Sequence, residues 1–129
     1  MSNPASNLPD EHFNAALRDL IATSGARITV GYPGWLRFLL QRDVVAITLG
    51  NRIYLHGEVA RRATGAIEAI LIHELTHVRQ FQQLGLPRFL YLYLHEYMEL
   101  RASGLNAIEA YSNVSFEMEA ARAEEEMTR

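Results

Sequence analysis

His73-Glu74-Leu75-Thr76-His77 is the stretch on which the reading of this chain turns. It is preceded directly by Thr64-Gly65-Ala66-Ile67-Glu68-Ala69-Ile70-Leu71-Ile72. Ile67, Ile70, Leu71, Leu75, Val78 and Phe81 recur at spacings of three and four, the period of a helix with an apolar face. Gly85 and then Pro87 supply a stop, so the pattern predicts a helix from about Gly65 to Leu84. On a helix, residues i and i+4 stand one above the other. His73 and His77 therefore offer two neutral imidazoles to one point, a geometry suited to zinc. Glu74 is placed to act as general base on a water held there. The plainer alternative is an amphipathic surface helix with two incidental histidines.

Composition narrows the chemistry. The chain has 129 residues, enough for one domain with a sizeable core, and 49% of them are hydrophobic. It has no cysteine, so a zinc site must use histidine and carboxylate ligands. The net charge is −3, and the 12 basic residues are all scattered arginines, which speaks against a nucleic-acid surface. No apolar run reaches the ~20 residues that span a bilayer. The first ten residues lack the basic and apolar regions of a signal peptide, so the expected location is cytoplasmic, or outside the cell by a route that uses no N-terminal signal.

Outward from the pentad, residues 1–9 read as a flexible arm and 10–129 as a single domain. Asp10 is the expected cap of a first helix, from Glu11 to about Thr23, with Phe13, Leu17, Leu20 and Ile21 on one face. Arg27–Val30 is a short strand candidate, and Trp35 to Arg42 is ambiguous, with a short helix as one reading. Asp43–Leu49, Gly50-Asn51 and Arg52–His56 read as a β-hairpin. A helix is expected from Pro87 to about Ser103, with Gly104 as its stop. Its first half, Phe89–Leu94, is apolar all round; this reads first as a core helix, otherwise as a surface for an oligomer or protein partner or for resting on a membrane. Asn106 to Met127 is helical with a break at Ser112–Ser115, and Ser115 is the expected cap of the last helix. The fold class is therefore α+β, mainly helical, with a small antiparallel sheet or hairpin before the pentad helix.

A catalytic zinc usually has three protein ligands and one open position. Downstream of His77 the candidates are His95, Glu96, Glu99, Glu109, Glu117 and Glu119. Phe116-Glu117-Met118-Glu119-Ala120-Ala121 resembles the glutamate helix of gluzincin metallopeptidases, in which HExxH is followed by a helix carrying E-x-x-A-D or a variant. The resemblance extends more loosely, over residues 44–122, to small bacterial HELTHV-type zincin domains. It implies that Glu117 is the third ligand beside His73 and His77, and that Ala120 lets two helices approach closely. Where the family carries an acid to orient a zinc-bound histidine, this chain has Ala121; Glu119 and Glu124 are the candidates to replace it.

The function implied is zinc-dependent hydrolysis of a peptide or protein substrate, with Glu74 as general base. Tyr97, His95, Arg101 and Tyr111 are candidates by residue type for stabilising the oxyanion. The strand Arg52–His56 is the candidate for pairing with the substrate, and His56 reads as structural or exposed. The competing expectations are a zincin-type zinc-binding scaffold, or the core domain of a toxin or effector with little activity of its own. A metal-free helical adaptor is a further alternative.

Overall fold

The computed structural model describes residues 13–34 and 44–128. The arm 1–9, the Asp10 cap, the start of the first helix at Glu11 and the segment 35–43 lie outside them.

The first helix, α1 (Ala15–Ser24), is capped by Asn14, whose Oδ1 accepts from the Leu17 amide at 2.9 Å. Phe13 lies just ahead of the helix and is buried, as is Leu17, while Leu20 faces solvent. Gly25, at φ 69°, closes the helix in the left-handed conformation. Strands β1 (Arg27–Val30), β2 (Ala46–Leu49) and β3 (Arg52–Leu55) follow. β2 and β3 form the expected antiparallel hairpin, but β1 joins β3 in parallel, so the sheet is mixed, in the order β1-β3-β2. Ile28, Ile53 and Leu55 line its inner face and are buried against the next helix.

That helix is α2 (Thr64–Leu84), entered from a 3-10 turn at Gly57–Arg61. Ile67, Leu71, Leu75, Val78 and Phe81 are buried, as their spacing requires. With Phe13, Leu17, Ile28, Ile53, Leu55, Val59 and Ile72, the first four of them make the core between α1, the sheet and α2. Gly85, at φ 82°, ends α2 and starts α3 (Leu86–Ala102), which carries Pro87 in its first turn.

Only Phe89 of α3 is buried, and Leu90, Tyr91, Leu92, Leu94 and Met98 are exposed. The core-helix reading of 87–103 is thus overturned. The helix lies on the outside of the domain, anchored by Phe89 against Phe81 and Phe116, with ring centroids 4.0 and 4.6 Å away.

After Gly104, Asn106 and Glu109 form a capping box at the start of α4 (Ala107–Asn113). Val114 alone, in extended conformation and fully buried, separates it from α5 (Ser115–Met127). Ser115 is not the cap expected of it: it is the first helical residue, and its amide and hydroxyl both donate to Glu96 Oε1, at 2.9 and 2.6 Å. A carboxylate from α3 thereby satisfies the orphan amide and favours the positive end of α5. It fixes the helix that carries Glu117. α2 and α5 pack closely with Ala120 fully buried, as the small residue at this position implies. No helix among the described residues is long and apolar enough to cross a membrane.

Candidate metal centre

His73, His77 and Glu117 converge, with their ligating atoms all within 4.8 Å of one another. His73 and His77 come from successive turns of α2, and Glu117 from the first turn of α5. The two Nε2 atoms lie 2.9 and 3.0 Å from the same oxygen, Glu117 Oε1. His77 and Glu117 are buried and His73 is partly so.

The far side of each ring shows whether these residues fit a metal. His77 Nδ1 lies 2.8 Å from Gln80 Oε1. The Gln80 amide nitrogen donates to Glu119 Oε1 at 2.9 Å and to the Phe116 carbonyl at 3.1 Å, so its oxygen must be the atom that faces the histidine. That oxygen only accepts, which puts the proton of His77 on Nδ1. His73 Nδ1 lies 3.2 Å from Glu124 Oε2, again an acceptor. With each Nδ1 proton tied to an acceptor, a ring that sheds its Nε2 proton presents that nitrogen to a cation, and both Nε2 atoms face the Glu117 carboxylate. The donor set, two imidazoles and a carboxylate without thiolate, suits zinc.

The choice between Glu119 and Glu124 thereby resolves into both. Glu124 touches His73 directly, and Glu119 holds the Gln80 amide that orients His77. Glu124, one turn beyond Ala121 on α5, is the acid that stands beside His73. Glu124→Ala should weaken zinc affinity about 10–100-fold with the fold intact, as measured by competition against a chromophoric chelator.

The other carboxylates considered as ligands have different partners. Glu96 holds the start of α5 and Glu109 caps α4. His95 and Glu99 pair with each other on the exposed side of α3, at 2.8 Å. Neither therefore reaches the cluster. Thr48, Gln80 and Tyr93 were missed; the Tyr93 hydroxyl donates to Glu117 Oε2 at 2.8 Å. Tyr93 was hidden within the apolar run Phe89–Leu94; its place one turn after Phe89, on the face that packs on α5, was the available signal.

Electrostatics follow from these contacts. Burial alone would raise the Glu117 pKa, but the hydrogen bonds of His73 and His77, the charge of His77 and the Tyr93 hydrogen bond bring it down to about 2. Burial opposes charge on His73 and His77, yet the Glu117 hydrogen bond and the nearby carboxylates raise both above 6.5. Burial, then the Glu117 charge, raises Tyr93 and Tyr111, so both stay protonated donors. Glu74 is raised above its ordinary value by burial, against the pull of His77, the Thr48 hydrogen bond and His73.

These directions give a pH signature. In chelator-treated protein the Glu117 contribution to stability is present above pH 4.5 and is lost as pH falls towards 2. The His73 and His77 contributions are present below 6.5 and are lost as pH rises through their raised values. Bound metal needs both rings neutral, so its contribution grows in the same alkaline range. The rise in Tm on adding zinc should therefore be larger at pH 8 than at pH 5.5; a rise that shrinks with pH would count against histidine ligation.

Glu74 lies beside the cluster and is buried. Thr48 Oγ1, from β2, donates to Glu74 Oε2 at 2.6 Å. The site opens into a cleft of about 870 Å³. One wall is Val44–Leu49 and the other is Leu90, Tyr93 and Tyr97 of α3 with Ala107, Ile108 and Tyr111 of α4. Tyr32, pushed up to about 12 by burial and by Glu74, donates to the Val44 carbonyl and steadies the first wall.

The strand along the cleft is β2, not Arg52–His56 as expected. β3 is the central strand, paired on both sides, whereas no described strand pairs with the other side of β2. His56 is structural: its Nδ1 accepts from the Glu58 amide and caps the 3-10 turn. Of the residues considered for the oxyanion, Tyr97 and Tyr111 line the cleft, whereas His95 and Arg101 are not among its lining.

Residues 37–85, somewhat over a third of the chain, match the family model described as the eCIS core domain. The match covers the hairpin and the whole of α2, with His73, Glu74 and His77, and ends before Glu117. No curated protein and no solved structure gives a significant match.

Proposed function

We propose that this domain is a zinc metallopeptidase of gluzincin type, with His73, His77 and Glu117 as ligands and Glu74 as general base. The observation that carries this reading is the pair of Nε2 atoms facing one carboxylate oxygen while both Nδ1 atoms are tied to acceptors. Such an arrangement holds two imidazoles ready for a cation. The match to the eCIS core domain, a family linked to zincin-like metallopeptidase cores, supports the same reading.

When bound, zinc supplies a Lewis acid that polarises a carbonyl and makes water acidic near neutral pH. The residues of the chain do the rest. Glu74 takes the proton of the attacking water and passes it to the leaving amine. Its raised pKa makes it a stronger acceptor than a surface glutamate. Thr48 holds the carboxyl in place. In β2, residues 45, 47 and 49 turn their backbone groups towards β3, so Ala46 and Thr48 turn theirs towards the open side. An extended peptide pairs there as an added strand, which brings its carbonyl over the cluster.

The test is the zinc content of purified protein, measured with cleavage of an unstructured protein such as casein. Zinc at one equivalent with cleavage is the expected result. Zinc without cleavage would leave a zinc-binding scaffold, and a protein that takes up no zinc would end the proposal.

A further inference from the structure

We infer that the cleft selects an extended peptide carrying a bulky aliphatic or aromatic side chain, and that Ile108 is the residue that selects it. This rests on the hydrolase reading of the same site and specifies its substrate.

Ile108 is 78% exposed, the most of any large hydrophobic side chain among the described residues, and it stands on the cleft wall. Leu90 and Tyr111, also on that wall, are 46% and 47% exposed. Apolar surface held open beside a polar floor gains most when an apolar group covers it. The ionisable side chains of the described lining, tyrosines apart, are His73, Glu74, His77, Glu117 and Glu124. None is an arginine, so an acidic substrate side chain away from the metal cluster would meet carboxylates with no basic side chain to receive it. Among the described residues nothing pairs with the backbone groups of Ala46 and Thr48, which suit an extended main chain whose side chains stand clear of the pairing direction and reach the walls.

The test uses the zinc-loaded full chain and a set of quenched fluorogenic peptides identical except for Phe, Leu, Ser, Asp or Lys at one position near the scissile bond. The position is scanned on both sides of the bond. Phe and Leu peptides should exceed Ser and Asp peptides about 10–100-fold in kcat/KM, and Ile108→Asp should bring the ratio of Phe or Leu to Ser towards one. Ile108 is a surface residue of a short helix, so the variant should fold; Ile108→Val, keeping the apolar wall, should retain most of the ratio.

Cleavage with no preference, or with preference for Asp or Lys, overturns the inference and leaves the hydrolase reading standing. The same holds for a ratio unchanged in Ile108→Asp. If no peptide is cleaved, binding to wild type and to Glu74→Gln decides the matter: tighter binding of Phe peptides, lost in Ile108→Asp, keeps the inference without the hydrolase, and its absence overturns both.

Discussion

Glu74→Gln should leave the protein folded and zinc-loaded while lowering peptide hydrolysis by about 10²–10⁴-fold, the usual contribution of a positioned general base. The fold should survive because the amide is a close match for what it replaces. The new side chain would still present a carbonyl oxygen to the Thr48 hydroxyl, which now donates to Glu74 Oε2 at 2.6 Å. Removing the charge also removes a desolvation cost, since burial already disfavours the ionised form here. Zinc should stay because Glu74 is not one of the three converging ligands. What the amide cannot do is accept the proton of the attacking water. The measurement is kcat/KM on a fluorogenic peptide beside zinc content and Tm. A variant as active as wild type, with zinc still bound, would remove Glu74 from the mechanism and leave the observed carboxylate without a chemical role.

How much of this could be read from residues alone depended on the range over which each feature is determined. Helix α2 and its two histidines are local: a period of 3.6 residues sets which side chains share a face. Glu117 lies on another helix, and its approach to His77 depends on how α5 packs; a resemblance supplied it where periodicity could not. Glu124 was partly legible, because two helical turns after Glu117 it must share that face. Gln80 was not: its use depends on having Glu119 and Phe116 across the helix interface, at distances set only by packing.

The misreadings have the same cause. β1 pairs in parallel with a strand 25 residues onward, and nothing in Arg27–Val30 specifies that partner. Helix α3 has the composition of a core element, but only its Phe89 is buried, with Tyr93 and Glu96 holding it to α5. Ser115 was a sound cap by type; Glu96, arriving from α3, took that function instead.

Glu117→Ala should lower zinc affinity by more than the 10–100-fold typical of residues that merely orient a ligand, because it removes a ligand outright. His95→Ala and Glu99→Ala should leave affinity unchanged, since those two pair with each other on an exposed surface. Glu117→Gln separates a ligand from a carboxylate that only neutralises nearby histidines. If Glu117 were no more than a counter-charge, this variant would lose the charge and little affinity; if Glu117 is a ligand, the same variant should bind zinc far more weakly than wild type. The alanine truncation also strands polar groups. Tyr93, His73 and His77 all lose the carboxylate they now contact, and an unsatisfied buried donor costs about 1–3 kcal/mol. Glu117→Ala should therefore be destabilised even after chelation, whereas Glu117→Gln, which can still accept from the Tyr93 hydroxyl, should be destabilised less. Zinc titration of the four variants and wild type, with Tm measured before and after chelation, distinguishes the two contributions. If Glu117→Ala holds zinc as tightly as wild type, the third ligand is some other group and α5 has only a structural part in the site.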